Sequence, residues 1–326
     1  MIPEKELIAR IRRMAGSASQ RQASKTASPA RMIVGIGDDC AVLRLRPGDD
    51  SLVTTDFSLE GIHFRRDWHP AQSAGHRCLT RGLSDIAAMG GEPTAAFLSL
   101  ALPRKFSQPW VTGFVRGFIH LAEKYRVTLA GGDTAESPGE ILADVILLGT
   151  VPKEEAVLRS GARPGDSIYV SGELGGSAAA LERMKAGDKA GAREYRRHFY
   201  PEPRIELGLA LRQKKLASAM IDTSDGLSSD LAHICEESEV GAEIESELVP
   251  RARPGTREVA LDLALHGGED YELLFTAPAA RRVPPRIVGI PLTRIGQVTR
   301  GRRILLRDAK GKTSNFAARG WEHFRR

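Results

Sequence analysis

SAMIDTSDGLSSDLAHICEES, residues 218–238, sets how the rest of the chain reads. Its first part, SAMIDTS, is a short apolar run that reads as a strand ending in polar residues. Its last part, GLSSDLAHICEES, reads as a helix. At the junction, Asp222, Asp225 and Asp230 fall within nine residues, separated mainly by hydroxyls and one glycine. A solvated face would mix in Lys or Glu, and a helix core would not take these residues. The spacing is suited to holding something positively charged. Strand ends beside glycine turns are where α/β proteins place their sites.

The same grammar recurs along the chain. GIGDD carries Asp38 and Asp39, and TTD carries Thr54, Thr55 and Asp56. LSD ends in Asp85, AGGDT holds Gly132 and Asp133, and GGED holds Glu269 and Asp270. Around these motifs, residues 3–14 read as a helix and 16–31 as a Ser/Arg-rich flexible arm. MIVGIGDDCAVLRL reads as a strand broken by a Gly-Asp turn, and SLVTTDF as a buried strand. Residues 70–90, with Pro70 at the start and Gly90 at the stop, fit a helix. TAAFLSLALP is a strand, 109–126 an amphipathic helix, and ILADVILLGTV a further strand. RSGARPGD (159–166) marks a domain entry through its RPGD turn. Both halves mix strands and helices, so the fold class is α/β (α+β) with a cut near residue 155. The expected organisation is 1–31 as N-terminal helix and arm, 32–154 as the first α/β domain and 155–326 as the second.

Composition bounds the function. The chain has 326 residues and a formal net charge of +6, but the positive charge is dispersed, and no aromatic-rich RNA-binding pattern or zinc finger accompanies it. Nucleic acid is therefore not the expected partner. No apolar run reaches the length of a membrane span, and the start MIPEKELIARIRRM is too charged for a secretory signal. The 3 cysteines, Cys40, Cys78 and Cys235, are far apart and odd in number, which points to reduced thiols and a cytoplasmic location.

Taken singly, each acidic motif reads as a helix cap or a turn. Taken together they show a bias toward carboxylate, often beside a hydroxyl or glycine, that turn chemistry does not require. Converging carboxylates repel one another unless a cation neutralises them. An oxygen-only ligand set without His/Cys spacing favours a hard ion such as Mg²⁺. Mg²⁺ binds through one or two carboxylates, waters and substrate phosphates, so many acids with many glycines imply several ions bridging a polyphosphate. The Walker A pattern, the protein-kinase signatures, the G-x-S-x-G elbow and HExxH are all absent.

The ordered set GIGDDCAVL, TTDFSLEGIHF, LSDIAAMGGEP, AGGDT, RSGARPGD, DTSDGLSSDL and GGEDYELLFT resembles the thiamine-monophosphate kinase family, within the aminoimidazole ribonucleotide synthetase-like ATP-binding superfamily. The resemblance runs from about Ile33 to Phe324, and TTD…GIHF, GGEDYEL and the closing GWEHF point to the kinase branch. It implies a two-domain fold whose N-terminal α/β domain pairs across a homodimer. It implies transfer of the γ-phosphoryl group of ATP to thiamine monophosphate with several Mg²⁺ ions. By motif, Asp39, Thr54, Thr55, Asp56, Asp85, Asp133, Asp222 and Asp225 correspond to metal ligands, with Asp56, Asp85, Asp133 and Asp222 central to catalysis. Gly132, Asp133, Arg159 and Ser224 correspond to ATP contacts. His63 and Glu269 correspond to contacts with the thiamine phosphate, and Trp321 to a cover over the thiamine ring. Two positions depart from the family pattern: Thr54 stands where Ser is common, and Gly82 where Asn is often found.

The implied chemistry agrees with the residues. Phosphoryl transfer asks mainly for positioning and charge neutralisation. A phosphate-monoester acceptor has a second pKa of about 6 and is mostly dianionic near neutrality, so it needs no strong base. Direct in-line transfer without a phosphoenzyme is the expected route. Three residues keep two readings each: His63 as structural hydrogen bonder or substrate contact, Arg159 as surface charge or phosphate contact, and Trp321 as core anchor or ring cover. The competing functions are another ATP-dependent enzyme of the superfamily, and a non-catalytic nucleotide-binding protein.

Overall fold

The computed structural model describes residues 4–22, 30–36 and 40–321. Two compact units divide it. One holds the chain up to Ile86 together with Gly91–Glu154; the other holds Ala87–Gly90 and everything from Glu155 onward.

The first unit begins with helix α1 (Glu4–Gln22). Strands β1 (Ala30–Val34) and β2 (Val42–Leu45) follow as an antiparallel pair. Then come β3 (Asp49–Leu59), α2 (Ala71–Ala88), β4 (Glu92–Pro103), α3 (Gln108–Lys124), β5 (Thr128–Ser137) and β6 (Leu142–Pro152). β3, β6, β4 and β5 form a four-stranded sheet in that order. Only the β4–β5 pair is parallel, as its α3 crossover allows. Ser107 caps α3 by accepting from the Trp110 backbone N–H at 3.3 Å. One correction to the sequence reading stands here: α1 continues to Gln22, so residues 16–22 belong to a helix where an arm was expected. Small residues and one glycine weaken a helix without breaking it.

Leu79, Leu83 and Ile86 of α2 and Phe114 and Phe118 of α3 are buried, as are Ala96, Leu98, Leu100, Val145 and Leu147 of the sheet. Each large side chain buried in this way contributes about 2 kcal/mol, against about 1 kcal/mol for a typical hydrogen bond. Packing, rather than the acids, fixes where the sheet stands. The other face of the sheet is bare: Val53 is 66% exposed and Phe57 57% exposed, and Ile146 is exposed as well.

The second unit runs β7 (Ser167–Ser171), α4 (Gly176–Lys185), α5 (Arg196–Phe199), α6 (Ile205–Gln213), β8 (Ala219–Asp222), α7 (Leu227–Glu237), β9 (Gly241–Glu245), α8 (Leu261–His266), β10 (Leu273–Ala277), β11 (Arg286–Ile287), β12 (Ile290–Thr299), β13 (Ile304–Arg307) and β14 (Thr313–Asn315). The sheet order is β14-β13-β9-β12-β7-β10-β8, with β11 paired to β12. All its pairs are antiparallel except β13–β9. Ile168, Ile221, Leu227, Leu231, Ile234, Ile244, Leu274 and Ile295 make its core. β8 is fully buried yet only four residues long, so its end delivers the chain straight from the core into the DTSDG turn. The strand and the helix read in 218–238 both form, with α7 starting at Leu227. The end of α2 belongs to this unit: Arg212, buried, donates from Nε to the Gly90 carbonyl at 2.8 Å.

Candidate active site

In the first unit the strand period of two sorts the acidic stretch of β3. Thr54, Asp56 and Ser58 point to the side covered by α2; Val53, Thr55 and Phe57 point to the bare face. On α2 the residues facing them, Cys78, Gly82 and Asp85, recur at helical spacing. Thr54 Oγ1 donates to Asp85 Oδ2, and Ser58 makes a hydrogen bond with the Cys78 thiol. Burial pushes that thiol up to about 12 in spite of Ser58, so Cys78 is inert. A Cβ at Gly82 would stand 3.4 Å from Cγ2 of Thr54 and 3.1 Å from Cβ of Leu147. The two departures from the family pattern are thus neighbours: the methyl that Thr54 adds lies beside the side chain that Gly82 lacks.

Thr55 and Asp133 stand elsewhere. Thr55 Oγ1 donates to Asp144 Oδ1 at 2.9 Å on the bare face. Asp133 is exposed on β5, in register with Ser99, Asp144 and Phe57, hence on that same face. β3 and β5 are the two edges of the sheet, so at about 4.8 Å per strand Asp133 is roughly 14 Å from Asp56 within one copy of this unit. Gly132 has φ +151, and a Cβ there would meet the Leu98 carbonyl oxygen at 1.9 Å; only glycine lets β5 run this close to β4. In the turn after β3, His63 is half-buried. Its Nδ1 accepts from the Leu59 backbone N–H at 2.9 Å, which in the neutral ring leaves the proton on Nε2. The structural reading of His63 therefore holds for one ring nitrogen. Asp39 lies outside the described residues.

In the second unit two loops are fastened together. The Thr223 backbone N–H donates to the Glu272 carbonyl at 2.8 Å, and the Glu272 N–H returns a bond to Thr223 Oγ1 at 3.0 Å. The Tyr271 N–H donates to the Thr223 carbonyl at 3.0 Å, and the Glu269 N–H to the Ser224 carbonyl at 2.8 Å. Asp222, Ser224, Asp225 and Glu269 are brought together by these bonds. Glu269 and Tyr271 both take left-handed backbone conformations, φ +64 and +52. Each costs about 1–3 kcal/mol, and four hydrogen bonds at about 1 kcal/mol each are of the size needed to hold them.

Beneath the turn lies Asp230, 1% exposed, accepting from the Gly226 N–H at 3.0 Å. Burial pushes its carboxyl well above the usual range, and the charges of Asp222 and then Asp225 push it further. Asp230 has no role assigned by motif; its place in the first turn of α7, in a stretch otherwise apolar on that side, is the signal in the sequence. Asp270 is buried and accepts from the Gly175 N–H at 2.6 Å and the Ser177 N–H at 3.2 Å, capping α4. Glu272 is fully buried and held by both Nε and a terminal nitrogen of Arg204, with Ser171 on the same carboxylate. Neither was given a role from the sequence, where GGED reads as a turn.

Arg159 is exposed in a single 3-10 turn; its carbonyl accepts from Ser238 Oγ at 2.7 Å, and the adjoining Leu158 carbonyl accepts from the Met220 N–H of β8 at 3.1 Å. Trp321 donates its backbone N–H to the Asp225 carbonyl at 3.0 Å and is 54% exposed, so it is not a core anchor. Among the described residues no three His, Cys, Asp or Glu side chains stand as a ready metal cage. The oxygen-only pairs that are present, Thr54–Asp85 and the Asp222–Asp225 turn, fit a hard ion that completes its shell with water and phosphate. A cavity of about 600 Å³ elsewhere in the first unit, between Arg10, Gln72 and Arg116, contains none of these acids.

Residues 37–151 match the AIR synthase related protein, N-terminal domain family, and 163–308 the corresponding C-terminal domain family. The chain is 40% identical over 303 residues to the thiamine-monophosphate kinase of Salmonella typhimurium, covering 89% of this chain and 91% of that protein. The crystal structure of thiamine-monophosphate kinase from Stenotrophomonas maltophilia K279a superposes with a TM-score of 0.80 at 34% identity, over 92% of this chain and 97% of that one. A structure of AaThiL complexed with AMPPCP and TMP gives a TM-score of 0.75 at 34% identity, over 86% of this chain and 89% of that one.

Proposed function

We propose, from the premise that this chain belongs to the thiamine-monophosphate kinase family, that it transfers the γ-phosphoryl group of ATP to the phosphate of thiamine monophosphate, releasing thiamine diphosphate and ADP. The observation that carries this reading is the loop pair of the second unit. It sets Ser224 and the Asp222–Asp225 acids beside Glu269 and Trp321, so a phosphate-binding turn and a surface for an organic cation share one small region.

Asp222 and Asp225 in the second unit, and Asp39, Thr54, Asp56 and Asp85 in the first, are the proposed Mg²⁺ ligands, with Thr55 and Asp133 on the bare face as a separate pair of candidates. Bound there, the ions supply neutralisation of the charge shared by two phosphates. Gly132, Asp133, Arg159 and Ser224 contact ATP. His63 presents Nε2–H, a donor suited to the acceptor phosphate, and Glu269 meets the same substrate. Trp321 covers the thiamine ring. No residue acts as a strong base, because the attacking oxygen already carries charge near neutrality. The bond to the γ-phosphorus forms from that oxygen as the bond to the ADP oxygen breaks.

A homodimer formed through the bare sheet face is part of the proposal. Val53, Phe57 and Ile146 make an apolar surface on an otherwise well-packed unit. The proposed location is the cytoplasm; no helix among the described residues is long and apolar enough to cross a membrane.

The test is a substrate panel. With ATP and MgCl₂, thiamine monophosphate is expected to give thiamine diphosphate and ADP in equal amounts, while thiamine and aminoimidazole precursors give nothing. ATP-dependent turnover of an aminoimidazole precursor alone would move the chain to another branch of the superfamily. Tight ATP binding with no turnover of any acceptor would make it a nucleotide-binding protein.

A further inference from the structure

The chain's last described residues are fastened to the acidic turn by their own backbone. Three consecutive N–H groups are used. Arg319 donates to Ser228 Oγ at 3.2 Å, Gly320 to Ser229 Oγ at 3.0 Å, and Trp321 to the Asp225 carbonyl at 3.0 Å. The acceptors lie in the turn before α7 and in its first turn. The same docking holds Arg319 by its side chain. Its guanidinium reaches His266 Nε2 and lies 3.0 Å from Asp262 Oδ1, while His266 Nδ1 pairs with Ser228 Oγ at 2.8 Å.

Gly320 is the residue this arrangement cannot replace. A Cβ there would stand 2.2 Å from the Asp225 carbonyl oxygen and 2.6 Å from Ser229 Oγ. The first of these atoms is backbone, and it is also the acceptor for Trp321. The tail therefore lies against the turn only because position 320 has no side chain. A methyl group there would lift the neighbouring tryptophan from its anchor.

We infer that Gly320, with Ser228 and Ser229, is a positioning residue for Trp321: the docked tail sets where Trp321 is held at the Asp222–Asp225 turn. The inference rests on the kinase reading for its functional consequence, though not for its structural one. Trp321 touches the organic part of the substrate in that reading, so docking should matter for thiamine monophosphate and not for ATP. Because the tail hangs from the Asp225 carbonyl while the Asp225 side chain is a proposed ligand, the acceptor's two ends are read by one turn.

Gly320→Ala tests this with two readouts. Hydrogen exchange at the amides of residues 319–321 reports docking without any substrate. Protection in the natural protein and its loss in Gly320→Ala are expected; equal protection in both overturns the inference, whatever the activity. In steady-state kinetics, Gly320→Ala is expected to raise the KM for thiamine monophosphate about tenfold, as the loss of one to two hydrogen bonds would. The KM for ATP should stay within about twofold on the same scale. Ser229→Ala should act in the same direction, by about threefold. Adding Gly320→Ala to Trp321→Ala should cost nothing further, because both remove one interaction. Full additivity of the two, or an equal rise in both KM values, would show a merely structural role and overturn the inference. Absence of thiamine-monophosphate turnover in the natural protein would sink the kinase reading instead, leaving the exchange experiment to decide on docking.

Discussion

In the first unit the candidate ligands sit on a strand, and in the second on a pair of loops, and the two scaffolds treat sequence neighbours differently. On β3 the residues Thr54, Thr55 and Asp56 are consecutive, yet the pleat sends Thr55 to the bare face with Asp144, while Thr54 and Asp56 face Asp85 on α2. In the second unit Ser224 and Glu269 are 45 positions apart in the numbering, yet a backbone hydrogen bond of 2.8 Å joins their residues. A strand separates what the sequence places side by side; fastened loops join what it places far apart. The first scaffold costs little, because β3 is ordinary extended backbone. The second carries left-handed conformations at Glu269 and Tyr271 and a buried carboxyl at Asp230. Strain and raised carboxyls gather where function is placed.

The largest effect is expected on the strand. Asp56→Asn keeps the shape and removes one charge, and turnover should fall about a hundredfold by lost charge stabilisation. Circular dichroism and melting should be unchanged. Near-normal turnover would remove Asp56 from the ligand set and leave the helix-facing row of β3 without a chemical role.

The next expected effect is on the opposite face of that strand. Phe57→Arg places a charge in the apolar surface formed with Val53 and Ile146. Sedimentation should show the proposed dimer weakened tenfold or more, since a desolvated, unpaired charge in an interface costs a few kcal/mol. An unchanged dimer would mean that the bare face is not the interface.

For the loops, pH is the probe. Burial pushes the Asp270 carboxyl up from 3.8 to about 7, and its bonds to the Gly175 and Ser177 N–H groups counter this only in part. A folded pKa above the unfolded one means that the folded state holds the extra proton. Stability from this group is then complete below about pH 4 and is lost as pH rises to about 7. Compared with Asp270→Asn, whose amide does not titrate, the natural protein should lose several degrees of Tm across that window, and the difference should be flat above it. A difference that does not change between pH 4 and 7 would contradict the assignment.

The smallest effect concerns the neighbours Thr54 and Gly82. Gly82→Asn should crowd Cγ2 of Thr54 and Cβ of Leu147 and lower stability by about 1 kcal/mol. Thr54→Ser in the same protein should recover part of that loss, and a double-mutant cycle measures the coupling. Strict additivity would show that the two positions are independent.

These cases also show what sequence alone could carry. The strand–turn–helix of residues 218–238 was legible because Ile221, Leu227, Leu231 and Ile234 mark their elements by periodicity and Gly226 marks the joint. The split of Thr54 from Thr55 was legible in principle, since a period of two admits no other outcome, but a motif read as a string hides it. The fastening of Thr223 to Glu272 was not legible, because backbone bonds between distant loops leave no trace in side-chain type. The same holds for the tail: Gly320 looks like a turn residue, and only the position of the Asp225 carbonyl explains it. The helical run of residues 16–22 was missed because Ser and Gly there read as loop, whereas α1 carries them along.

In the proposed reaction the phosphoryl group passes straight from ATP to the acceptor phosphate among oxygen ligands, with no side chain carrying it between. ATP made chiral at the γ-phosphorus with oxygen isotopes, converted by the protein and thiamine monophosphate, reports this directly. Inversion of configuration at the transferred phosphorus is the predicted result. Retention would reveal two successive displacements through a phosphorylated residue and would contradict it.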